Sequence, residues 1–77
     1  MQTINIFISK VKITTENAAT TKQIKYLSSL CFNKDLVFPF ENLQQAKAHI
    51  KKNEANRAIK ELLAGNSIVF IYPTPFD

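Results

Sequence analysis

Only two stretches of the chain carry a β-type pattern, and they stand at its opposite extremities, with helix-like or connecting sequence everywhere between. In the first, Ile4, Ile6 and Ile8 fall on one face of an extended chain and Asn5 and Phe7 on the other, the period-2 alternation of a half-buried strand. Val11 and Ile13 then change parity, so a bulge near Ser9-Lys10 is needed to keep all five on one face. The second, Ser67-Ile68-Val69-Phe70-Ile71-Tyr72, is β-branched and aromatic, with Gly65-Asn66 before it and Pro73 and Pro75 ending it. Pairing the two ends predicts an α+β fold in β-α-α-α-β order. A helical middle packs on a small antiparallel sheet made from the N- and C-terminal strands, and the termini lie close together. Two strands alone are marginal, so the sheet needs helices beneath it or a strand from another copy along its edge.

Residues 14–20 are small and polar and read as a linker. Thr20 with Gln23 forms a capping box, which starts a first helix. Ile24, Leu27, Leu30 and Cys31 recur at helical spacing as its buried stripe, Lys22 and Lys25 point to water, and its end lies near Phe32-Asn33. In Leu36-Val37-Phe38-Pro39-Phe40 the proline blocks helix continuation, and Phe38 and Phe40 are expected to plug the core between helices. Asn42 with Gln45 suggests a second capping box, opening a helix that buries Leu43, Ala46 and Ile50.

A test by angle shows whether that helix continues to Ala64. Each residue turns about 100° around a helix axis, so Leu43, Ala46 and Ile50 point roughly 140° away from Ala55, Ala58, Ile59, Leu62 and Leu63. One straight helix buries neither stripe. The sequence therefore predicts a break at Lys51-Lys52-Asn53, with Asn53 capping a third helix that Glu54 favours through the macrodipole and Gly65 terminates.

With 77 residues there is room for one core, so residues 1–77 read as a single domain. Its 45% apolar and 21% charged residues are those of a folding chain. The lone Cys31 can make neither an intrachain disulfide nor, by itself, a zinc site, which points to a reducing compartment, the cytoplasm. The first residues do not read as a signal peptide, and no apolar run approaches the roughly 20 residues a bilayer requires.

Catalytic chemistry has little to work with. His49 is the only histidine and has no acidic neighbour at helical spacing to tune it. Cys31 lies on an apolar helix face, where a thiol is inert. The six carboxylates form no paired arrangement, and a single glycine cannot make a glycine-rich phosphate cradle. The expectation is a protein without enzymatic activity, cofactor or metal.

The net charge of +4 mildly favours anionic partners. Lys47, Lys51, Lys52, Arg57 and Lys60 gather at the junction of the second and third helices, where a short turn can offer ammonium groups and backbone amides to phosphates. The plain alternative is that Lys47, Lys51 and Lys52 complement the carbonyl end of a helix dipole and the others are surface residues. Lys22, Lys25 and Tyr26 join the binding face if the first helix lies beside the junction, Tyr26 then stacking on an unpaired base.

Thr20-Thr21-Lys22-Gln23-Ile24-Lys25-Tyr26-Leu27-Ser28-Ser29-Leu30 and the later Glu54-Ala55-Asn56-Arg57-Ala58-Ile59-Lys60-Glu61-Leu62 resemble a short SAP-like helical module, with a T-x-x-Q-x-x-Y-L-x-x-L helix followed by an E-A-N-x-x-I-x-x-L helix. The module recurs in proteins of phage and other mobile elements. The resemblance implies a helical hairpin and a setting in nucleic-acid metabolism.

Three functional readings follow. The first is a non-enzymatic accessory protein of a phage or mobile element that binds nucleic acid through the basic helix junction. The second is an inhibitor or adaptor that binds a host or phage protein through a β-edge or an aromatic patch of Phe70, Tyr72 and Phe76. The third is a structural homodimer whose four strands form one sheet across a two-fold axis.

Overall fold

The computed structural model describes residues 2–9 and 11–71. The expected β-α-α-α-β order is present: β1 (Thr3–Phe7), α1 (Thr21–Asn33), α2 (Leu43–His49), α3 (Lys52–Leu63) and β2 (Ser67–Ile71). Tyr72, expected as the last strand residue, and the strand-ending Pro73 and Pro75 lie outside the described residues.

The two strands pair in parallel, not antiparallel, with Thr3 opposite Ser67 and Phe7 opposite Ile71. The direction of α3 explains the correction. Glu54, in the first turn of α3, accepts a hydrogen bond from the Phe7 amide at one end of β1. One turn on, Arg57 reaches Asn5, and beyond the helix Asn66 accepts from the Gln2 amide at the other end. Because α3 runs back along β1 from the Phe7 end to the Gln2 end, a strand that follows it through a tight turn must start beside Gln2 and run with β1. The helical middle is the crossover that a parallel pair requires. Gln2 and Ile71 consequently stand at opposite ends of the two-stranded ribbon rather than together.

Ile6 and Ile8 of the first β-type run are buried and Ile4 packs against the core. The strand ends before the change of parity: Ile8 makes its last ladder contact, donating to the Ile71 carbonyl at 2.9 Å, and Val11 is exposed. Ser9 and Ile13 instead donate to the carbonyls of His49 and Ala48, so the segment turns away to line the end of α2.

Local chemistry sets the helix ends. Thr20 caps α1 with both bonds of the capping box, its hydroxyl accepting from the Gln23 amide at 3.1 Å and the Gln23 side chain accepting from the Thr20 amide at 2.9 Å. Asn42 caps α2 by accepting from the Gln45 amide at 2.8 Å, but the Gln45 side chain accepts from the Glu41 amide rather than from Asn42, so this box is only half formed. α1 and α3 both end in a Schellman turn. Leu36 and Asp35 donate to the carbonyls of Cys31 and Phe32, while Asn66 and Gly65 donate to those of Glu61 and Leu62. The turn residue has φ +93° at Gly65, as expected, and φ +57° at Asp35, a position where a side chain carries a steric cost.

The helical stretch breaks where the two stripes fall out of phase, at Ile50-Lys51 rather than Lys51-Lys52-Asn53, and the cap of α3 falls two residues earlier than expected. Ile50 and Lys51 are extended, at φ −116°, ψ 124° and φ −77°, ψ 154°. Lys51 is the N-cap of α3 and makes no side-chain capping bond, so the expected Asn53 cap is corrected. Backbone from the supposed linker takes the place of a cap. The Asn17 carbonyl accepts from the Lys52 amide, and the Ala19 amide donates to the Ile50 carbonyl, both at 2.9 Å, with Ala18 bridging Lys51. Residues 17–19 are thus part of the fold, and Ala18 and Ala19 are buried.

The break turns Ile50 fully inward, beside Ile6, Ile24, Leu27, Cys31 and Leu62. Full burial of each large aliphatic side chain contributes about 1.5–3 kcal/mol before entropy is counted. Leu63, expected in the α3 stripe, is 60% exposed. Phe38 and Phe40 pack edge-to-face with each other and with Phe70 of β2, at ring separations of 5.2, 5.7 and 5.9 Å, and close the core beneath β2.

Candidate nucleic-acid interface

The bonds that pin residues 13–19 against the α2–α3 break also build a cleft. It has a volume of about 420 Å³, and its polar lining consists of Lys12, Lys47 and Lys52 with Thr15, Thr20, Thr21 and Gln44; Ile13, Ala18, Ala19 and Ala48 form its walls. No carboxylate lines it. Lys12 arrives because Ile13 is tied to Ala48, Lys47 projects from the last turn of α2, and Lys52 opens α3. Lys47 is half-buried, and its Nζ donates to Thr21 Oγ1 at 3.1 Å. The N-termini of α1 and α3 both border the cleft through Thr20, Thr21 and Lys52. Their dipoles add positive potential to that of the lysines.

A second, shallower groove of about 630 Å³ shares Thr20 with the cleft and continues along α1 over Lys22, Gln23, Lys25 and Tyr26 to Ile59 of α3. Tyr26 is 47% exposed there. The first helix therefore does lie beside the junction. On its other side a groove of about 450 Å³ runs between Phe32, Phe38 and Phe40; both grooves are mainly apolar, the one along α1 the more so.

The five junction cations expected to converge do so only in part. Lys47 and Lys52 share the cleft, and Lys51 is exposed at the break beside them. Lys60 is exposed about 80° around the α3 axis from Lys52. Arg57 lies about 140° around, where its Nη1 donates to the Asn5 carbonyl at 3.2 Å and sits 3.8 Å from Glu54 Oε1. Glu54 and Arg57 therefore occupy the outer edge of β1 instead of the cleft. Lys12 is the residue that sequence reasoning missed. Only its alternation with Val11 and Ile13 marked it, and nothing local tied that segment to the helix junction.

Of the protein-binding candidates, Phe70 is half-buried in the aromatic triad, whereas Tyr72 and Phe76 lie outside the described residues. His49 is structural: its ring Nδ1 lies 2.7 Å from the Ser9 carbonyl oxygen, which fixes Nδ1 as the protonated donor. Cys31 is fully buried, and burial pushes its thiol up to about 11. It is neither exposed nor ionised at neutral pH, so it has none of the character of a nucleophile. Among the described residues, no three of His, Cys, Asp and Glu gather as metal ligands. No helix among them is long and apolar enough to cross a membrane.

No protein-family model matches the chain, and neither curated proteins nor solved structures show a match to it.

Proposed function

We propose that the chain is a small, non-enzymatic accessory protein that binds nucleic acid along the face formed by the basic cleft and the adjoining α1 groove. The observation that carries this reading is a cleft lined by three lysines and three threonines and by no carboxylate residue, opening at Thr20 onto a surface with two more lysines and an exposed tyrosine. Phosphates enter the cleft through Lys12, Lys47 and Lys52, and this contact is insensitive to base sequence. Tyr26 offers a stacking plane to an unpaired base between Lys22 and Lys25, which favours single-stranded over duplex substrates. The phage or mobile-element setting rests on the SAP-like resemblance of α1 and α3.

Fluorescence anisotropy with labelled single-stranded and duplex oligonucleotides, titrated across salt, tests the reading. Binding that weakens steeply with salt and is lost on combined Lys12→Ala, Lys47→Ala and Lys52→Ala substitution supports it. Absence of binding at low salt rejects it.

One observation favours the rival inhibitor or adaptor: no other described residue pairs with the outer edge of β2, onto which another protein could add a strand. Capture of a partner from nuclease-treated extract, with no affinity for oligonucleotides, selects that reading.

A further inference from the structure

The two edges of the sheet differ. The register directs the backbone groups of Thr3, Asn5 and Phe7 away from β2, and α3 meets two of these six, Glu54 accepting from the Phe7 amide at 2.9 Å and Arg57 donating to the Asn5 carbonyl. On the opposite side the amides and carbonyls of Ile68 and Phe70 point away from β1, because Ser67 donates to Gln2 and Ile71 accepts from Ile8. Among the described residues nothing pairs with these four groups. Among the devices that keep an edge from pairing are a charge, a proline or a bulge within the strand itself. Residues 67–71 contain none of them.

From this asymmetry we infer that β2 pairs with β2 of a second copy, antiparallel about a two-fold axis at Val69, making one four-stranded sheet in the order β1-β2-β2-β1. The occupant follows from the geometry of the edge. With the axis at Val69, Ile68 of each copy faces Phe70 of the other as a hydrogen-bonded pair, so all four open groups are satisfied within the described strand. Val69, on the outer face and 42% exposed, meets its own symmetry mate as the close, non-hydrogen-bonded pair. Neither strand has a charged residue, so two chains of net charge +4 meet through an uncharged seam. Four strands lie within the size range of independently stable sheets, and two do not. A five-residue seam is small for a protein interface, so the dimer is weak, with a dissociation constant on the order of 100 µM. The inference is independent of nucleic-acid binding.

Sedimentation equilibrium of the full chain from about 10 µM to 1 mM tests it across that range. The expected result is a monomer–dimer equilibrium. Amide exchange at Ile68 and Phe70 slows as concentration rises, while exchange at Val69, which faces β1, does not change. Val69→Lys and Val69→Glu each place like charges across the axis and raise the dissociation constant at least about tenfold. Mixing the two variants restores association as a heterodimer. Thr3→Lys, on the same face but on the outer strand, associates like the wild type, and circular dichroism confirms that each variant is folded. A chain that stays monomeric throughout overturns the inference and leaves the edge to a foreign strand. Self-association that ignores both Val69 substitutions places the contact elsewhere and overturns it too.

Discussion

Arg57 donates from its guanidinium to the Asn5 carbonyl at 3.2 Å, so the arginine of α3 satisfies one acceptor on the outer edge of β1. Its neighbour Glu54 accepts from the Phe7 amide, so the pair occupies part of an edge of β1 that no other described strand joins. Glu54→Ala is expected to cost about 1–2 kcal/mol, from a charge-assisted hydrogen bond and a favourable charge at the start of α3. Arg57→Ala is expected to cost about 0.5–1 kcal/mol, because its side chain is half exposed. Urea denaturation reads both. Arg57→Ala should change oligonucleotide affinity by no more than about twofold. A loss as large as that from Lys52→Ala would mean the phosphate path passes over β1.

On the proposed reading, each lysine of the cleft neutralises charge on a bound strand. Lys12→Ala, Lys47→Ala and Lys52→Ala should each reduce the slope of log affinity against log salt by about 0.7–0.9. Lys47→Ala additionally removes the bond to Thr21 that orients the side chain, so Lys47→Arg should restore the slope only in part. Anisotropy titrations at four or five salt concentrations separate these outcomes. A slope unchanged by Lys12→Ala would remove residues 11–13 from the interface.

The two Schellman turns make opposite predictions. At Asp35, φ is +57°, and a carboxylate follows the carbonyl end of α1. Asp35→Gly should stabilise the fold by about 0.5–1 kcal/mol by relieving both costs. At Gly65 an added Cβ meets no atom within 4 Å, so Gly65→Ala costs only the backbone strain of the left-handed conformation, about 1 kcal/mol. Thermal melts of the two variants should shift in opposite directions.

Cys31 gives a pH signature. Burial raises the folded-state value from 9.0 to about 11, so the unfolded chain loses its thiol proton first as pH rises. The stability held by the neutral thiol is complete below about pH 9 and disappears as pH climbs through about 11. Wild type and Cys31→Ala should therefore differ by a constant amount from pH 7 to 9 and converge above that range. A difference that stays flat to pH 11 would show that the thiol ionises as readily in the fold as outside it.

Much of the architecture was legible because it is written in local chemistry. The Thr20–Gln23 box, the Gly65 stop, the Ile4-Ile6-Ile8 face and the phase jump between Ile50 and Ala55 all act over a few residues. The misses concern distant partners. The end that Asn53 was expected to cap is satisfied by the Asn17 carbonyl, and strand direction depends on which end of β1 the helix α3 returns to. Of the residues lining the cleft and the α1 groove, the position of Lys47 and Lys52 was legible from the break, and that of Lys22, Lys25 and Tyr26 from the face of α1. Lys12 was not, because a backbone bond from Ile13 to Ala48 brings it in. Arg57 was misplaced because position around α3, not nearness in sequence, decides its partner.

The parallel ribbon also dictates a timetable. Gln2 and Asn66, joined at its base, are 64 residues apart, and closing a loop of that length costs roughly 4 kcal/mol in chain entropy. Helices whose caps lie within a few positions can nucleate long before that closure, as short-range contacts form fastest. β1 must therefore wait, its isoleucines wet, until β2 has been made and the helices between them have formed, and the ribbon closes last.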